Sequence, residues 1–402
     1  MDRRGEVPGG RWVRRPGQAQ RIFRWIAACL AVALVVVSLT AYFTYRSVWD
    51  SITRIPVGDL GPQPAKLTSA TNVLLIGSDS RAGPNERFGA GIGGQRSDTI
   101  IVLHIAPGHQ GVVALSIPRD SVVPVLSCPA EPGAPGQQAQ PGQVEQINAT
   151  FAYGGPGCLW KTIEQTTHLH LDHFIELNFT GFEHVIDDVG GVSICLPFAI
   201  DDPLSKLRLS AGRHHVDGAE ALAFWRARYI GNGSDLQRIR RDQYLMVSLI
   251  QGIERTGVLA DPGRILPVVS DAARSMTTDS GLSLSAMLGI IESLRRLPPG
   301  SVQFVELPTV AYPPNPNWVS WPPSDGALFS AIAHDQTGTP HAARRPAGKH
   351  VDALSAAATG PTPGATGPAA PHSLSGTYGG ITGSTNVCRD TGAFAGPRGG
   401  SL

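Results

Sequence analysis

The chain has 402 residues, enough to bury one large core or two ordinary ones. Its formal net charge of +1 excludes a broad nucleic-acid-binding surface, which needs a basic excess. Glycine (47) and proline (33) are abundant and charged residues make up only 16%, a balance that fits a membrane segment plus irregular regions.

The N-terminal region bears on the compartment. Residues 1–24 are rich in arginine, and the run Trp25–Tyr45, "WIAACLAVALVVVSLTAYFTY", carries no charge. About 20 apolar residues suffice to cross the hydrocarbon core of a bilayer as a helix. Trp25 on one side and Tyr42, Phe43 and Tyr45 on the other suit the two interfaces. By the positive-inside rule, the arginines put residues 1–24 in the cytoplasm and Arg46 onward outside. A cleaved signal is disfavoured, because the run exceeds a usual h-region and no A-x-A site follows. "IAAC" (Ile26–Cys29) resembles a lipoprotein cleavage box, but the apolar stretch follows the cysteine instead of preceding it. The expectation is a single-pass cell-membrane protein: an anchor at 25–45, a stalk at 46–71 and an extracytoplasmic remainder.

That compartment makes the cysteines readable. Cys29 falls in the membrane, which leaves Cys128, Cys158, Cys195 and Cys388 on the oxidising side. Their spacing matches no C-x-x-C metal or redox pattern. Four cysteines allow three connectivities. Cys128 with Cys158 is favoured, because both sit in Pro/Gly-rich loops either side of "QINATFAYGG", and Cys195 with Cys388 follows by elimination. Free buried thiols are the alternative.

From Asn72 to Asp335, apolar strand-like runs alternate with helical patterns, the signature of one α/β domain. The strand candidates are "NVLLIG", "DTIIVLHIA", "GVVALSIP", "FIELNF" and "VQFVELP". Several are continuous Val/Ile/Leu runs, as expected of central strands covered on both faces. "GPGCLWKTIEQTTHL" and "FTGFEHVIDDVG" read as helices between strands. Ser234–Thr256 is the clearest helix, with Ser234 or Asp235 as N-cap and Gly257 near its end. Two Gly/Pro-rich insertions, "RAGPNERFGAGIGGQRS" and "CPAEPGAPGQQAQPGQVE", read as surface loops. Residues 336–402 form a low-complexity tail, expected to be mostly disordered and pinned at its end if Cys388 is paired.

Charge gathers at the ends of these apolar elements. Gly77-Ser-Asp-Ser-Arg81 ends one run, Arg96-Ser-Asp98 precedes the next, and Pro118-Arg-Asp120 follows a third. A further segment, "FWRARYIGNGSDLQRIRRDQ", carries Arg226, Arg228, Asp235, Arg238, Arg240 and Arg241. The tips of neighbouring strands form a ligand crevice in α/β sheets. If the strands ending at Asp79 and beginning at Asp98 are antiparallel, both carboxylates come to one edge. Magnesium takes one or two carboxylates plus phosphate oxygens, and guanidinium forks match phosphates. Phosphoryl transfer is mostly positioning and charge neutralisation, so this inventory suits it. Surface ion pairs are the bland alternative. Asp235, Arg238 and Asp242 share one helical face, at i, i+3 and i+7. Arg226 and Arg228 point the same way only if their stretch is extended.

Other chemistries fit less well. Ser78 and Ser80 lack the G-x-S-x-G pattern of a nucleophile elbow. His104 in its apolar run reads as a structural histidine. "THLHLDH" (His168, His170, His173) lacks the spacing of a zinc helix. The loop at Gly89–Gly94 is no nucleotide motif and reads as a lid.

An anchor followed in order by "GSDSR", "RSDT", "SIPRD", "INATFAYGGP", "DHFIELNFTGF", "DDVGGV" and "ALAFWRARYIGNGSDLQRIRR" resembles the LytR–CpsA–Psr family. The likeness runs from Asn72 to Thr256 and more weakly to Asp335. It implies a mixed central sheet between helices, with an apolar tunnel for a lipid. It also implies a phosphotransferase on the outer face of the bacterial membrane. Such an enzyme takes a glycopolymer from a polyprenyl-pyrophosphate carrier and attaches it by a phosphodiester to peptidoglycan. Carried over by motif, Asp79 and Asp98 hold Mg²⁺ or Mn²⁺. Arg119 grips the pyrophosphate, helped by Arg81, Arg226, Arg228 and Arg238, and Asp235 orients the guanidinium groups. Arg119, Asp98 and Asp235 are thus the catalytic candidates; Asp98 or Asp120 is the candidate base, and no covalent nucleophile is expected.

The family usually has glutamine after the last arginine of this helix, where this chain has Asp242. Facing Arg238 one turn away, Asp242 either pairs with it and weakens phosphate affinity, or joins metal binding or proton transfer. The composition suits an actinobacterial-type envelope and, by analogy, arabinogalactan as the polymer. Teichoic acid and capsular polysaccharide are equally open. The competing functions are a polyprenyl-pyrophosphate hydrolase and a non-catalytic lipid-pyrophosphate-binding scaffold.

Overall fold

The computed structural model describes residues 17–57, 61–79, 85, 96–128, 142–227, 230, 235–258, 261–337, 380–389 and 394. The chain divides into two compact units, Met1–Asp50 and Ser51–Leu402. The described part of the first unit is helical and belongs to α1 (Gln18–Ser51), which contains the expected anchor at 25–45. Gln20–Ser51 is long and apolar enough to cross a membrane, with a hydropathy of 2.5 and no part of its apolar window buried. At 1.5 Å rise per residue, a helix this long reaches about 50 Å, beyond the thickness of a hydrocarbon core.

The second unit opens with β1 (Thr53–Ile55), β2 (Thr71–Ser78), β3 (Ser97–Ile105) and β4 (Val112–Ile117). A small hairpin, β5 (Val122–Val125) and β6 (Gln143–Gln146), leads into α2 (Ile147–Thr167), β7 (His173–Asn178) and α3 (Phe179–Val189). Next come β8 (Val192–Leu196), β9 (Ile200–Asp202), β10 (Leu207–Leu209), β11 (Gly212–Val216) and α4 (Gly218–Arg226). They are followed by α5 (Asp235–Thr256), α6 (Pro262–Arg274), β12 (Met276–Asp279), α7 (Leu284–Arg295) and β13 (Val302–Glu306). The last elements are β14 (Val310–Tyr312), β15 (Asn315–Ser320), α8 (Asp325–Ala333) and β16 (Gly380–Thr382).

Among the described residues, eight strands form the central sheet in the order β1-β12-β7-β2-β3-β4-β13-β16. It is mixed: β2 pairs with β7 and β4 with β13 in parallel, while β2–β3 and β3–β4 are antiparallel. The strands read from the sequence are its five consecutive central members, β7, β2, β3, β4 and β13. Their alternation sorts the core into layers. Leu74, Ile76, Ile100, Val102 and Leu115 face α2 and α8, packing with Leu159, Ile163, Leu328 and Ile332. Leu75, Ile101, Leu103 and Ala114 face the opposite side, where Tyr244 and Val247 of α5 cover them. A third cluster joins α3 and α4 to β8 through Phe182, Ile186, Ile194, Leu222 and Trp225. Full burial of each such Leu or Ile contributes about 1.5–3 kcal/mol, which makes these contacts the main source of stability.

Three local differences from the sequence reading have simple causes. Part of the expected stalk is drawn into the domain, because β1 pairs in parallel with β12 and Val57 packs on the core. The helix before β7 starts at Ile147, ahead of the expected start at Gly155. Gly154 and Gly155 instead make a kink inside α2, with Gly155 at φ +63°, and Pro156 restarts the helix where its missing N–H costs nothing. Cys158 therefore lies in a helix and not in a loop. It is paired with Cys128, and Cys195 with Cys388, at Cα–Cα distances of 5.6 and 5.1 Å. Of the expected tail, residues 338–379 lie outside the described residues, and β16 returns to the sheet edge against β13.

Candidate functional site

The site lies at one end of the sheet, and strand register builds it. β2 and β3 are antiparallel, with Ser78 opposite Ser97 after an irregularity at Gly77. That pairing continues past the strands: the Asp79 N–H donates to the Arg96 carbonyl at 3.2 Å, and the Arg96 N–H donates to Asp79 Oδ1 at 2.7 Å. Asp79 and Asp98 thus stand on neighbouring strand ends. Trp225 of α4 packs closely on the end of β2. A Cβ added at Gly77 would stand 3.0 Å from the Trp225 ring and 3.1 Å from Thr99 Cβ.

The β3–β4 register places Ile100 opposite Ile117, so that two residues further out Asp98 meets Arg119. Arg119 Nη1 donates to Asp98 Oδ1, and Arg238 Nη2 of α5 reaches Asp98 Oδ2 at 3.4 Å. The side chains of Asp98 and Arg238 are only 12% and 8% exposed. Among the described residues, Arg238 Nε and Nη1 are also buried without a hydrogen-bond partner. Buried N–H groups are normally satisfied, so these donors mark a place for an anion. Arg119 Nε lies 3.7 Å from Asp120 Oδ2, and Asp120 Oδ1 accepts from Gln146 Nε2 at 2.9 Å.

The remaining expected residues fall as follows. Arg226 is the last residue of α4, where its charge favours the helix C-terminus, and its guanidinium lies 5.0 Å above the Phe179 ring. Phe179 follows Asn178, the strand partner of Ser78, so Arg226 borders the same edge. Asp235 is the first residue of α5, but its side chain lies outside the described residues, as do Arg81 and Arg228 altogether. Asp242 is buried beside the site, yet the ion pair of Arg238 is with Asp98 and not with Asp242. Asp242 instead acts on Arg241, favouring its charged form against burial, which pushes that guanidinium pKa down.

Several residues to which the sequence reading gave no role hold the frame, among them Arg240 and Arg241 of the charged segment. Arg241 Nη2 donates to the Ala227 carbonyl at 3.0 Å, which fixes the end of α4 and with it Arg226. Gln243 Nε2 donates to Ser116 Oγ at 3.1 Å, tying α5 to β4, and Arg240 pairs with Glu306 of β13 at 3.1 Å. Gln146, the N-cap of α2, orients Asp120. Nothing in a single sequence marks these pairings, because each joins segments far apart in the chain. His104 sits buried between Asn72 and Asp335, and burial lowers its pKa.

A narrow slot runs from the charged cluster between α5 and the sheet. Asp98, Arg119, Arg238 and Asp242 line one part, and Ile101, Ile239, Met246 and Phe304 line an apolar part. Arg238 and Met246 are eight residues apart on α5, or about 12 Å along a helix. Its free volume is about 20 Å³, room for a single water. Among the described residues no group of three or more His, Cys, Asp or Glu side chains is placed to hold a metal. A pair of hard carboxylates such as Asp79 and Asp98 fits magnesium, which completes its shell with water and phosphate oxygens, and does not fit a closed zinc site.

Residues 53–324 match the LytR_cpsA_psr family. The chain is 36% identical over 262 residues to a probable cell wall biosynthesis protein, LcpB, of Corynebacterium glutamicum, an alignment covering 64% of this chain and 58% of that protein. It is 28% identical to the cell wall biosynthesis protein LcpA of the same organism, over 72% of this chain and 60% of LcpA. The matched region thus spans about three fifths of each of these two relatives. A polyisoprenyl-teichoic acid–peptidoglycan teichoic acid transferase, TagU, of Bacillus cereus is 26% identical, over 64% of this chain and 80% of TagU. Among solved structures, a LytR-Csp2A-Psr enzyme from Actinomyces oris shares the fold with a TM-score of 0.53 at 20% identity, covering 70% of this chain and 96% of that one.

Proposed function

The chain belongs to the LytR_cpsA_psr family, and from that membership we propose that it transfers a glycopolymer from a polyprenyl-pyrophosphate carrier to peptidoglycan. One observation carries the reading. At the head of an apolar slot, Arg119 and Arg238 converge on Asp98, and two further N–H-bearing nitrogens of Arg238 are buried with no partner among the described residues. A pyrophosphate would answer those donors, and a prenyl chain would suit the apolar walls. Relatives named as transferases and as cell wall biosynthesis proteins support the same class of reaction.

The chemistry asked of the chain is positioning and charge neutralisation. Arg119 and Arg238 grip the pyrophosphate, Arg226 borders it from α4, and Arg241 positions Arg226 through Ala227. An acceptor hydroxyl of peptidoglycan attacks the sugar-linked phosphorus. A new P–O bond to the acceptor forms as the anhydride P–O bond breaks, and polyprenyl phosphate leaves. The hydroxyl proton passes to a carboxylate; Asp120, held by Gln146 and next to Arg119, is the better-placed candidate, because Asp98 already serves two guanidiniums. Asp79 and Asp98 would hold a magnesium or manganese ion, which supplies further neutralisation of phosphate charge when bound.

The apolar helix α1 would anchor the protein, with the arginine-rich N-terminus cytoplasmic and the domain outside, where lipid-linked glycans meet the wall. The two disulfides fit that oxidising side. The test is to incubate the full-length chain in detergent with Mg²⁺, a lipid-pyrophosphate oligosaccharide and a peptidoglycan fragment. A product joined by sugar–phosphate–glycan linkage is expected. Free phosphorylated sugar alone would mean hydrolysis, and unchanged lipid a binding scaffold.

A further inference from the structure

The segment "GITGSTNVCR" (residues 380–389) is short, mostly polar and carries three apolar or sulfur side chains, Ile381, Val387 and Cys388. It enters the sheet as β16, antiparallel to β13, with Ile381 opposite Phe304. It then crosses to α5, where Gln251 Nε2 donates to the carbonyls of Gly383 and Thr385 at 3.1 and 3.0 Å. Cys388 closes the crossing by its disulfide to Cys195 in β8. Val387 is 9% exposed and packs in the cluster of Ile101, Val247 and Phe304. The segment therefore bridges α5 and the sheet as a strap behind the slot: none of its residues is in the slot lining, but Ile101, Met246 and Phe304 belong both to that lining and to the strap's cluster.

We propose that this strap is the outer wall of the apolar slot and contacts the prenyl chain of a prenyl diphosphate bound there, an inference that rests on the pyrophosphate reading above. The slot's free volume of about 20 Å³ is far below the several hundred Å³ of an occupied ligand pocket, so a chain entering it displaces a wall. The sheet cannot move, being hydrogen-bonded strand to strand on both sides of β3 and β4. α5 is held by Gln243 to Ser116, Arg240 to Glu306 and Arg241 to Ala227. The strap is held by a three-residue strand, the Gly383 N–H donating to the Val302 carbonyl at 2.9 Å, two carbonyl contacts to Gln251, the packing of Ile381 and Val387, and a disulfide. It is the wall that yields, and the disulfide keeps it tethered while it does. Chain-length preference then depends on Ile381 and Val387.

The experiment photolyses a benzophenone-bearing prenyl diphosphate with the full-length chain in detergent and maps the labelled peptides. Label on 380–389 as well as on α5, blocked by excess inorganic pyrophosphate, is expected. In parallel, Val387→Trp is expected to lower affinity for an undecaprenyl-length diphosphate about tenfold while leaving geranyl diphosphate within about twofold. Labelling is read on the wild-type chain, so it stands whether or not the tryptophan variant folds. Label confined to α5 and the central strands, or a folded Val387→Trp with unchanged preference, overturns the strap as a wall and leaves the transfer reading intact. No pyrophosphate-sensitive label anywhere overturns both.

Discussion

Arg238 Nη2 stands 3.4 Å from Asp98 Oδ2, so a residue of α5 and a residue of the sheet share one charge site across the slot. The pair is almost wholly buried, where an ion pair survives only if further hydrogen bonds compensate the lost hydration. Here Arg238 Nε and Nη1 are left over. An incoming pyrophosphate would complete them. Arg238→Ala is expected to weaken pyrophosphate binding about 10- to 100-fold, the value of one or two charge-assisted hydrogen bonds. Arg238→Lys should recover only part of this, since an ammonium lacks the planar fork. Titration calorimetry with inorganic pyrophosphate reads both, and wild-type affinity in the alanine variant would remove Arg238 from the site.

Metal use is tested at the strand ends. Asp79→Asn and Asp98→Asn each keep shape and remove a hard anionic donor. Each is expected to raise the Mg²⁺ concentration giving half-maximal transfer by about tenfold or more, and chelation should abolish wild-type turnover. Asp98→Asn should also free Arg119 and Arg238, so pyrophosphate binding without metal tightens while turnover falls. An unchanged magnesium response in both variants would leave these carboxylates as partners of arginine alone.

Much of this site was legible because it rests on strands with strong patterns. "NVLLIG" and "DTIIVLHIA" alternate between the two core faces, and an antiparallel pairing of them necessarily brings Asp79 and Asp98 together. What escaped reading lacks such a signature. β1, β12 and β16 have three or four residues each, too few for a period, and their partners are remote in sequence. The adjacent Arg240 and Arg241 look alike on paper; packing alone sends one to Glu306 and the other to Ala227. Likewise, the helix before β7 reads as one only from Gly155, because the Gly154–Gly155 kink hides the turn that Ile147 and Phe151 hold on the core.

The glycine that opens the charged turn is expected to be sensitive. Gly77→Ala would put a methyl 3.0 Å from the Trp225 ring and 3.1 Å from Thr99 Cβ. The cost is about 1–3 kcal/mol of overpacking. Thermal melting should show a drop of several degrees, and Trp225→Leu in the same chain should recover part of it. Equal melting of wild type and Gly77→Ala would show that α4 gives way at no cost.

Asp242 places a carboxylate in the slot that the proposed donor's phosphates would enter. Like charges repel more strongly in a partly dehydrated site than in water. Asp242→Gln is therefore expected to tighten pyrophosphate binding severalfold. Turnover separates the alternatives: it rises or holds if Asp242 only opposes the phosphate, and falls if Asp242 takes the proton or shares the metal. Identical affinity and rate would make the position peripheral.

The pH dependence of stability has a distinct source in Asp325. Both of its carboxylate oxygens are buried with no partner among the described residues, the residue is 1% exposed, and burial raises its pKa from 3.8 to about 6. The folded state therefore binds this proton more tightly than the unfolded chain. Between pH 3.8 and about 6 the native state carries more protons, so this group's contribution to stability falls as pH rises across that window and is flat above it. A rise from 3.8 to about 6 corresponds to at most about 3 kcal/mol for a carboxylate at a helix N-terminus whose surroundings relax. Asp325→Asn removes the titration. The variant should melt above the wild type at pH 8, with the advantage shrinking toward pH 4. Parallel melting curves for the two proteins across that range would show that the carboxylate is solvated or paired in solution.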